Sequence, residues 1–546
     1  MANKFVNGLD VQIWRPFPRS LNNAHTAGVS LCSDKRSDIS RNPYIYQLVS
    51  NAVLNRVNLV QKWVQFAVNP GLGGTFGAWA TSDFAPSRAL EWAIAAGSTT
   101  SKINTSTVMT VVALNQLANR GGTGDYGFKV RIIGKSAWKV EERFIVANTA
   151  GTTPTFWLNA PLTFTPTTAD TYEILWGAVY MLWAGAIAAT SFRSFEIAAN
   201  TLTSLSNTNL PATIWTDSYM TVLDEAYTPY DNEPGCWFIK GEFAYDTNYT
   251  TRYALAATAI GASSITWQTT LGDAVILANE YRNFQIRVVQ DLTNPTAVGQ
   301  RRIIASHTAG PSPVYTLGSA WTVTPSASAK YVIEYPNFIL LRSTATTSLY
   351  VYNYNKENIT NGTNTINANA WSTTYFGTAS AAVGAGCMII PSFWIQPDVG
   401  RNARHSFVYF IRWGASASMD LLDISGWTAW AWTADIPFDG KWTTFTTGSC
   451  GDYAPNDQEW KFFYINWYVA SQNHQQYRFD VKNRVMTPHV PTSQIQSGTA
   501  TVGNRIATQT ILKRSEVDPD VIEEKFSIVM LQMHLSADSY ELITQV

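Results

Sequence analysis

A seventeen-residue segment occurs twice in this chain, and that repetition limits the folds open to it more than any other feature. Glu142 to Leu158 (ERFIVANTAGTTPTFWL) returns as Arg301 to Leu317 (RRIIASHTAGPSPVYTL). In the same alignment, without a gap, Thr163 to Pro166 (TFTP) matches Thr322 to Pro325 (TVTP), and Tyr172 to Ile174 (YEI) matches Tyr331 to Ile333 (YVI). Upstream, Phe128 to Ile133 (FKVRII) pairs with Phe284 to Val289 (FQIRVV). A recurrence of this kind is one structural unit used again. Alternating β-branched residues, broken by Ala-Gly and Thr-Pro, read as short antiparallel strands with tight turns. Two copies of one β-rich module are therefore expected, at 96–174 and 256–333.

A weaker periodicity surrounds those units. Apolar strands begin near Tyr44 (YIYQLV), Val179 (VYMLW), Phe338 (FILL), Phe407 (FVYFI), Phe462 (FFYIN) and Phe526 (FSIVML). Each is followed by a polar or small-residue turn and a partner strand, at 58–63, 192–197, 348–352, 419–424, 476–481 and 539–543. The intervals from Tyr44 to Val179 and from Val179 to Phe338 are much longer than the other three, and these two contain the repeated units. Without them the spacing falls near the ~40–50 residues of a propeller blade plus loops. The expectation is an all-β chain: an N-terminal arm at 1–43 and a six-bladed β-propeller at 44–546, with the two homologous modules inserted. The last strand, Tyr540 to Val546, leaves no room for a further one, so the run Gly8 to Trp14 is expected to complete the sixth blade and remove an exposed sheet edge.

Ile174 to Phe192 runs without a charge over a length close to the ~20 residues needed to cross a bilayer. The repeat aligns it with Val332 to Leu349, where Glu334, Pro336 and Arg342 interrupt the pattern, so a hairpin turning near Gly185 is expected and not a membrane span. Lys and Arg number 38 against 39 Asp and Glu, a formal net charge of −1, which leaves no global field to attract nucleic acid. Specific nucleic-acid binding is not expected. Only 14% of residues are charged, against ~25% in an average soluble protein, and 46% are hydrophobic, so burial of surface in an assembly is expected.

Phe195 to Leu202 (FEIAANTL) and Phe479 to Val485 (FDVKNRV) resemble the kelch pattern of an aromatic, an acidic residue, a turn Asn and an apolar anchor. The double glycine of that pattern is absent: Leu182-Trp183-Ala184-Gly185 and Arg412-Trp413-Gly414 keep one glycine each, and Leu341-Arg342-Ser343 none. The resemblance implies a kelch-like propeller. The repeated unit, with its Arg-Arg-Ile-Ile segment, Thr-Ala-Gly turn, Thr-x-Thr-Pro and Tyr-x-Ile, resembles a module of virion structural proteins in tailed bacteriophages. That resemblance implies a structural virion component of the tail nozzle, neck, hub or capsid surface. It would assemble with itself and with adjacent virion proteins, and be made in the host cytoplasm; the N-terminus shows no apolar signal region.

The chemistry-bearing residues point away from an enzyme. Cys32, Cys236, Cys387 and Cys450 form no CxxC pair, and His25, His307, His405, His474, His489 and His534 show no HxH or HExxH spacing. The glycine-rich runs 71–77 and 121–127 lack a GK[ST] ending, and no GxSxG occurs. The acidic run Asp518, Asp520, Glu523, Glu524 lacks the order of a calcium loop and reads as a solvated turn. No cofactor and no metal are expected. Tryptophan is abundant, at 21 residues, and clusters at Trp427, Trp430, Trp432 and Trp467. These rings are candidates for a protein interface, for core filling, or for stacking on a host-surface glycan. A glycan-binding virion module is thus the first alternative function, and a propeller enzyme such as an oxidase or glycan hydrolase the second.

Overall fold

The computed structural model describes residues 15–16, 30–33, 44–49, 53–58, 63–68, 76–85, 92–106, 112, 114–115, 117–118, 128–174 apart from 136 and 138, 178–185, 190–196, 201–210, 218–223, 255–267, 278–343 apart from 280, 311 and 335–336, 346–379 apart from 356–357 and 362–363, 382, 387–391, 395–396, 403–404, 407–411, 419–423, 450–453, 462–469, 472–480, 485–490, 505–514, 522–533 and 539–545. Among these, regular structure is all strand except for one 3-10 turn at Pro295–Ala297. No helix among them is long and apolar enough to cross a membrane.

Six antiparallel sheets follow one another along the chain. The first contains Ser30–Ser33, Tyr44–Val49, Val53–Asn58 and Trp63–Val68, and the second Phe76–Ala85, Ala178–Gly185, Thr190–Glu196 and Thr201–Ser204. The third contains Tyr219–Leu223, Phe338–Arg342, Leu349–Asn353 and Ala370–Ser372, and the fourth Met388–Pro391, Phe407–Ile411 and Met419–Asp423. The fifth contains Cys450–Tyr453, Phe462–Val469, Gln472–Asp480 and Val485–Val490. The sixth contains Arg505–Arg514, Ile522–Met533 and Ser539–Gln545, and its fourth strand is Arg15–Pro16, in register with Glu541 and Tyr540. The stretch read as an N-terminal arm thus supplies strands to two sheets. The run Gly8 to Trp14 lies outside the described residues, directly before the strand that makes this pairing.

The leading strands of the six sheets adjoin in series. Ser30–Ser33 lies against Phe76–Ala85, then come Tyr219–Leu223, Met388–Pro391, Cys450–Tyr453 and Arg505–Arg514, and the last returns to Ser30–Ser33. Polar side chains stitch neighbours at this level. Ser82 N–H donates to Ser30 Oγ at 3.0 Å, Met220 N–H to Thr81 Oγ1 at 3.1 Å and Val222 N–H to an oxygen of Asp83 at 2.7 Å. Gly451 shows how close the backbones come: a Cβ there would lie 2.9 Å from Met388 Sδ and 3.0 Å from the Tyr464 carbonyl oxygen.

Each apolar start seen in the sequence is the second strand of its sheet. Phe338–Arg342 and Leu349–Asn353 are buried at every position. A strand covered on both faces reads as an unbroken apolar run, where a half-exposed strand alternates. Aromatic rings fill the space between sheets. Tyr46 stacks on Phe84 at 5.1 Å, Phe192 meets Tyr352 at 4.8 Å and Trp371 at 5.0 Å, and Tyr409 meets Phe463 at 5.3 Å. In the uncharged segment from 174 to 192, Ile174 ends a strand of the first inserted unit, and the described residues after it lie in the antiparallel pair Ala178–Gly185 and Thr190–Glu196, with Tyr180, Leu182 and Phe195 buried; Gly185 ends the first of these strands, and Ile197 lies outside the described residues.

Between the first and second strands of the second sheet the chain forms six strands in the order Trp92–Ala93, Thr171–Ile174, Lys129–Gly134, Lys139–Asn148, Thr155–Leu158, Lys102–Asn104. Between the first and second strands of the third sheet it forms a closed barrel in the corresponding order Leu255–Gly261, Lys330–Glu334, Gln285–Gln290, Arg301–His307, Val314–Leu317, Ser264–Trp267. In the first unit an Ile94↔Thr105 bridge, with Ala95 N–H donating to the Asn104 carbonyl at 2.8 Å, joins the two end strands. Even the irregularities coincide. A bulge falls between Ile145 and Ala147 in one unit and between Ile304 and Ser306 in the other, the same two positions of the repeat. Gly151 and Gly310 both adopt positive φ, +124° and +119°, the region that disfavours a side chain.

Candidate functional site

The described chemistry concentrates where the two units meet. In the first unit Arg131 stands opposite Glu142 on one neighbouring strand and opposite Glu173 on the other. Directly opposed residues share a sheet face, so the three charges are brought together by register alone. Arg131 Nε donates to Glu142 Oε1 at 2.9 Å and Arg131 Nη1 to Glu173 Oε2 at 3.2 Å, with all three side chains buried. The other oxygen of Glu173 accepts from Arg301 Nη1 of the second unit at 3.2 Å, so one carboxylate links the units.

Beside this link is a cavity of about 250 Å³. Lys135 of the first unit, Gln285, Gln300 and Arg301 of the second, and Asn355 and Asn358 from the segment after Leu349–Asn353 are among its walls. Arg302 also lines it but is spent on structure: it donates to the carbonyls of Ala320 and Arg301 and to Thr322 Oγ1, and lies over the Trp321 ring at 5.2 Å. Gln300 is held likewise, its Oε1 accepting from Thr322 N–H at 2.8 Å and its Nε2 donating to the Val323 carbonyl at 2.8 Å. Asn355 is 8% exposed and donates through Nδ2 to the Asn337 carbonyl and to Asn353 Oδ1, while its own Oδ1 accepts no hydrogen bond.

Of the tryptophans singled out by sequence, Trp427, Trp430 and Trp432 lie outside the described residues, and Trp467 sits in Phe462–Val469 in register with Gln475. Asp518 and Asp520 also lie outside, and Glu523 and Glu524 fall in Ile522–Met533. Cys32, Cys387 and Cys450 are buried and form no disulfide with one another, and no group of three or more His, Cys, Asp or Glu side chains placed to hold a metal ion is gathered among the described residues. His307 is a core residue. Its Nε2 accepts from Tyr281 N–H at 2.8 Å while Nδ1 faces the Thr308 carbonyl at 2.9 Å, which fixes the tautomer with hydrogen on Nδ1. Burial pushes its pKa down to about 4, the Thr308 carbonyl opposing. The junction residues carried one sequence signal: Glu142 and Arg301 stand at equivalent places in the repeat with opposite charge.

No family model matches the chain, and no curated protein matches it. Among solved structures the chain is similar to Sqt1 of Saccharomyces cerevisiae, at 10% identity over 98% of each chain with a TM-score of 0.31. It is also similar to the WD40 domain of SCAP from fission yeast, at 7% identity over 98% of each chain with a TM-score of 0.23. Superposition at that level carries no argument about function.

Proposed function

We propose that the six sheets are blades of a six-bladed, kelch-like β-propeller carrying two homologous β modules, and that the chain is a non-catalytic structural component of a tailed-bacteriophage virion. The observation that carries the scaffold reading is the cyclic contact of six leading strands, with Arg15–Pro16 laid on Ser539–Gln545. Joining the two ends of a chain in one sheet covers an edge that would otherwise template aggregation. The blade boundaries follow the strands, so the modules span about 92–174 and 255–334. Support for the virion comes from the resemblance of the repeated unit and from a charged fraction of 14%, low for a chain that stays alone in solution. Tail nozzle, neck or hub is the position proposed, with copies of this chain and adjacent virion proteins as partners across interfaces above ~1,000 Å².

The test is biochemical. Particles from the source of this chain, purified on a density gradient, should contain it at a fixed stoichiometry and bind antibody raised against it at one end. Its recovery only in the particle-free fractions, as a monodisperse monomer, would overturn the proposal.

A further inference from the structure

We propose that the second unit carries an acid-opened latch at His307, whose protonation frees the turn 279–284 and with it the hold of that unit on the third sheet. Both units close this turn with the same three bonds. In the first, Asn148 N–H donates to Asn115 Oδ1 at 3.1 Å, Asn115 N–H to the Asn148 carbonyl at 2.9 Å and Leu117 N–H to Asn148 Oδ1 at 2.8 Å. In the second, His307 N–H donates to Asn279 Oδ1 at 2.9 Å, Asn279 N–H to the His307 carbonyl at 3.1 Å and Tyr281 N–H to His307 Nε2 at 2.8 Å. Asn115 and Asn279 share a positive φ, +56° and +63°. The third bond is the one that differs in chemistry. An amide oxygen accepts at any pH in this range, whereas an imidazolium carries hydrogen on both nitrogens and accepts nothing. Protonation therefore sets Nε2–H against Tyr281 N–H where His307 is buried, and a buried donor left without an acceptor is costly. Burial holds the pKa down at about 4, so the closed latch resists a proton that a free histidine takes up near ~6.5. The rings of Tyr281 and Tyr315 face the imidazole at 5.7 Å and 4.8 Å; Arg282 is the described charge of the turn, and Glu280 lies outside the described residues. What the turn holds is the third sheet. Asn283 Oδ1 accepts from the Tyr375 hydroxyl at 2.8 Å, and Tyr375, fully buried, packs edge-on against Phe338, the first residue of Phe338–Arg342.

Hydrogen exchange of the full-length chain, read on peptides covering 279–284, 115–118 and 338–342 and compared at each pH with His307→Asn, tests the latch. Comparison at equal pH removes the intrinsic pH dependence of exchange. The open state takes up its proton near the ordinary histidine pKa and the closed state only near 4, so the closed latch is favoured fully above pH ~6.5 and less as pH falls toward 4. Expected is opening of 279–284 that grows ~100-fold from pH 7 to pH 4 in the unaltered chain and stays flat in His307→Asn, with 115–118 and 338–342 protected in both. Asn148→His should transfer the acid sensitivity to 115–118, and Glu280→Gln should leave it in place at 279–284. Tyr375→Phe, which removes the bond to the third sheet and spares the latch, should raise exchange of 279–284 at every pH without changing its slope. Thermal melts at pH 7 confirm that each variant is folded, and the reciprocal pair His307→Asn and Asn148→His keeps the test open if one of the two is not. An equal acid rise in His307→Asn, a rise that vanishes in Glu280→Gln, or loss of protection in 338–342 together with 279–284 would each overturn the proposal.

Discussion

Positions 141, 142 and 173 of the first unit hold Glu141, Glu142 and Glu173; the equivalent positions of the second hold Gln300, Arg301 and Val332. The backbone around them does not change. Thr163 N–H donates to Glu141 as Thr322 N–H donates to Gln300, and Arg143 and Arg302 make the same bonds to the carbonyls of Pro161 and Ala320. The apolar set is matched too: Val130, Ile132, Ile145, Phe156 and Tyr172 are buried in one unit, and Ile286, Val288, Ile304, Tyr315 and Tyr331 in the other. Core and register thus specify the unit, and the charges on its face are free to diverge. Their divergence makes the two copies complementary, and Glu173–Arg301 is the outcome. Where a polar group is needed structurally it can move. Asp170 holds Thr167 N–H at 2.7 Å, whereas in the second unit, with Ala329 at that place, Asp291 from another strand end holds Ser326 N–H at 2.7 Å.

The largest break in this comparison comes from Glu173→Leu, which takes from buried Arg131 one of its two carboxylates and from the partly buried Arg301 the carboxylate that links it to the first unit. A loss of about 3 kcal/mol, the low end for breaking a buried pair, is expected in urea unfolding of the full chain, because Arg131 keeps Glu142. The double variant Glu173→Leu with Arg301→Met should recover part of it, because Arg131 keeps Glu142; a loss below ~1 kcal/mol for the single variant would show that the junction is not held this way.

His307 and Asn148 fill equivalent places, each accepting a buried N–H, from Tyr281 and Leu117 respectively. Only the histidine titrates. Its pKa is about 4 when folded against 6.5 when unfolded, so the unfolded chain takes up the proton first as pH falls. Its contribution is full above pH ~6.5 and declines toward pH 4, by up to about 3 kcal/mol. His307→Asn, copying the first unit, should flatten the stability profile between pH 4 and 6.5 and change little at pH 8. An unchanged slope in that window would refute the assignment.

Gly151→Ala and Gly310→Ala should each cost about 1–3 kcal/mol, since both φ angles disfavour a side chain although the space around is open. Equal costs would sharpen the equivalence of the units; a loss at one site only would break it. The smallest effect is expected from the arginine pair. Arg143→Lys and Arg302→Lys should each cost ~1 kcal/mol, but only the first should vary with salt, because Arg143 pairs with the Glu141 carboxylate at 2.7 Å and Arg302 lies over an indole.

The hairpin of Phe338–Arg342 and Leu349–Asn353 is legible in the sequence because strands buried at every position leave uninterrupted apolar runs, and the twofold unit because the repeat keeps its spacing. The first hairpin shows where that signal fails. The apolar pattern places a partner strand at 58–63, but Val53–Asn58 pairs with Tyr44–Val49, since its polar residues find partners inside the sheet: Asn55 Nδ2 donates to Gln47 Oε1 at 3.0 Å. The leading strands escape the pattern for a similar reason. Ser30–Ser33 and Phe76–Ala85 carry the serines and threonine that hydrogen-bond neighbouring sheets, and polar residues in short runs look like turns. The cavity has no sequence signal at all, because Lys135, Arg301 and Asn355 meet only through tertiary packing. Local sequence around each gives no common motif.

A side-chain-resolution density map of the full-length chain tests the central claim most directly. Expected are six sheets whose leading strands adjoin in a ring closed by Arg15–Pro16 on Tyr540 and Glu541, and two units that superpose with bulges at 145–147 and 304–306 and are joined through Glu173 and Arg301. A map in which the N-terminal strand pairs elsewhere, or in which 96–174 and 256–333 have different folds, would contradict it.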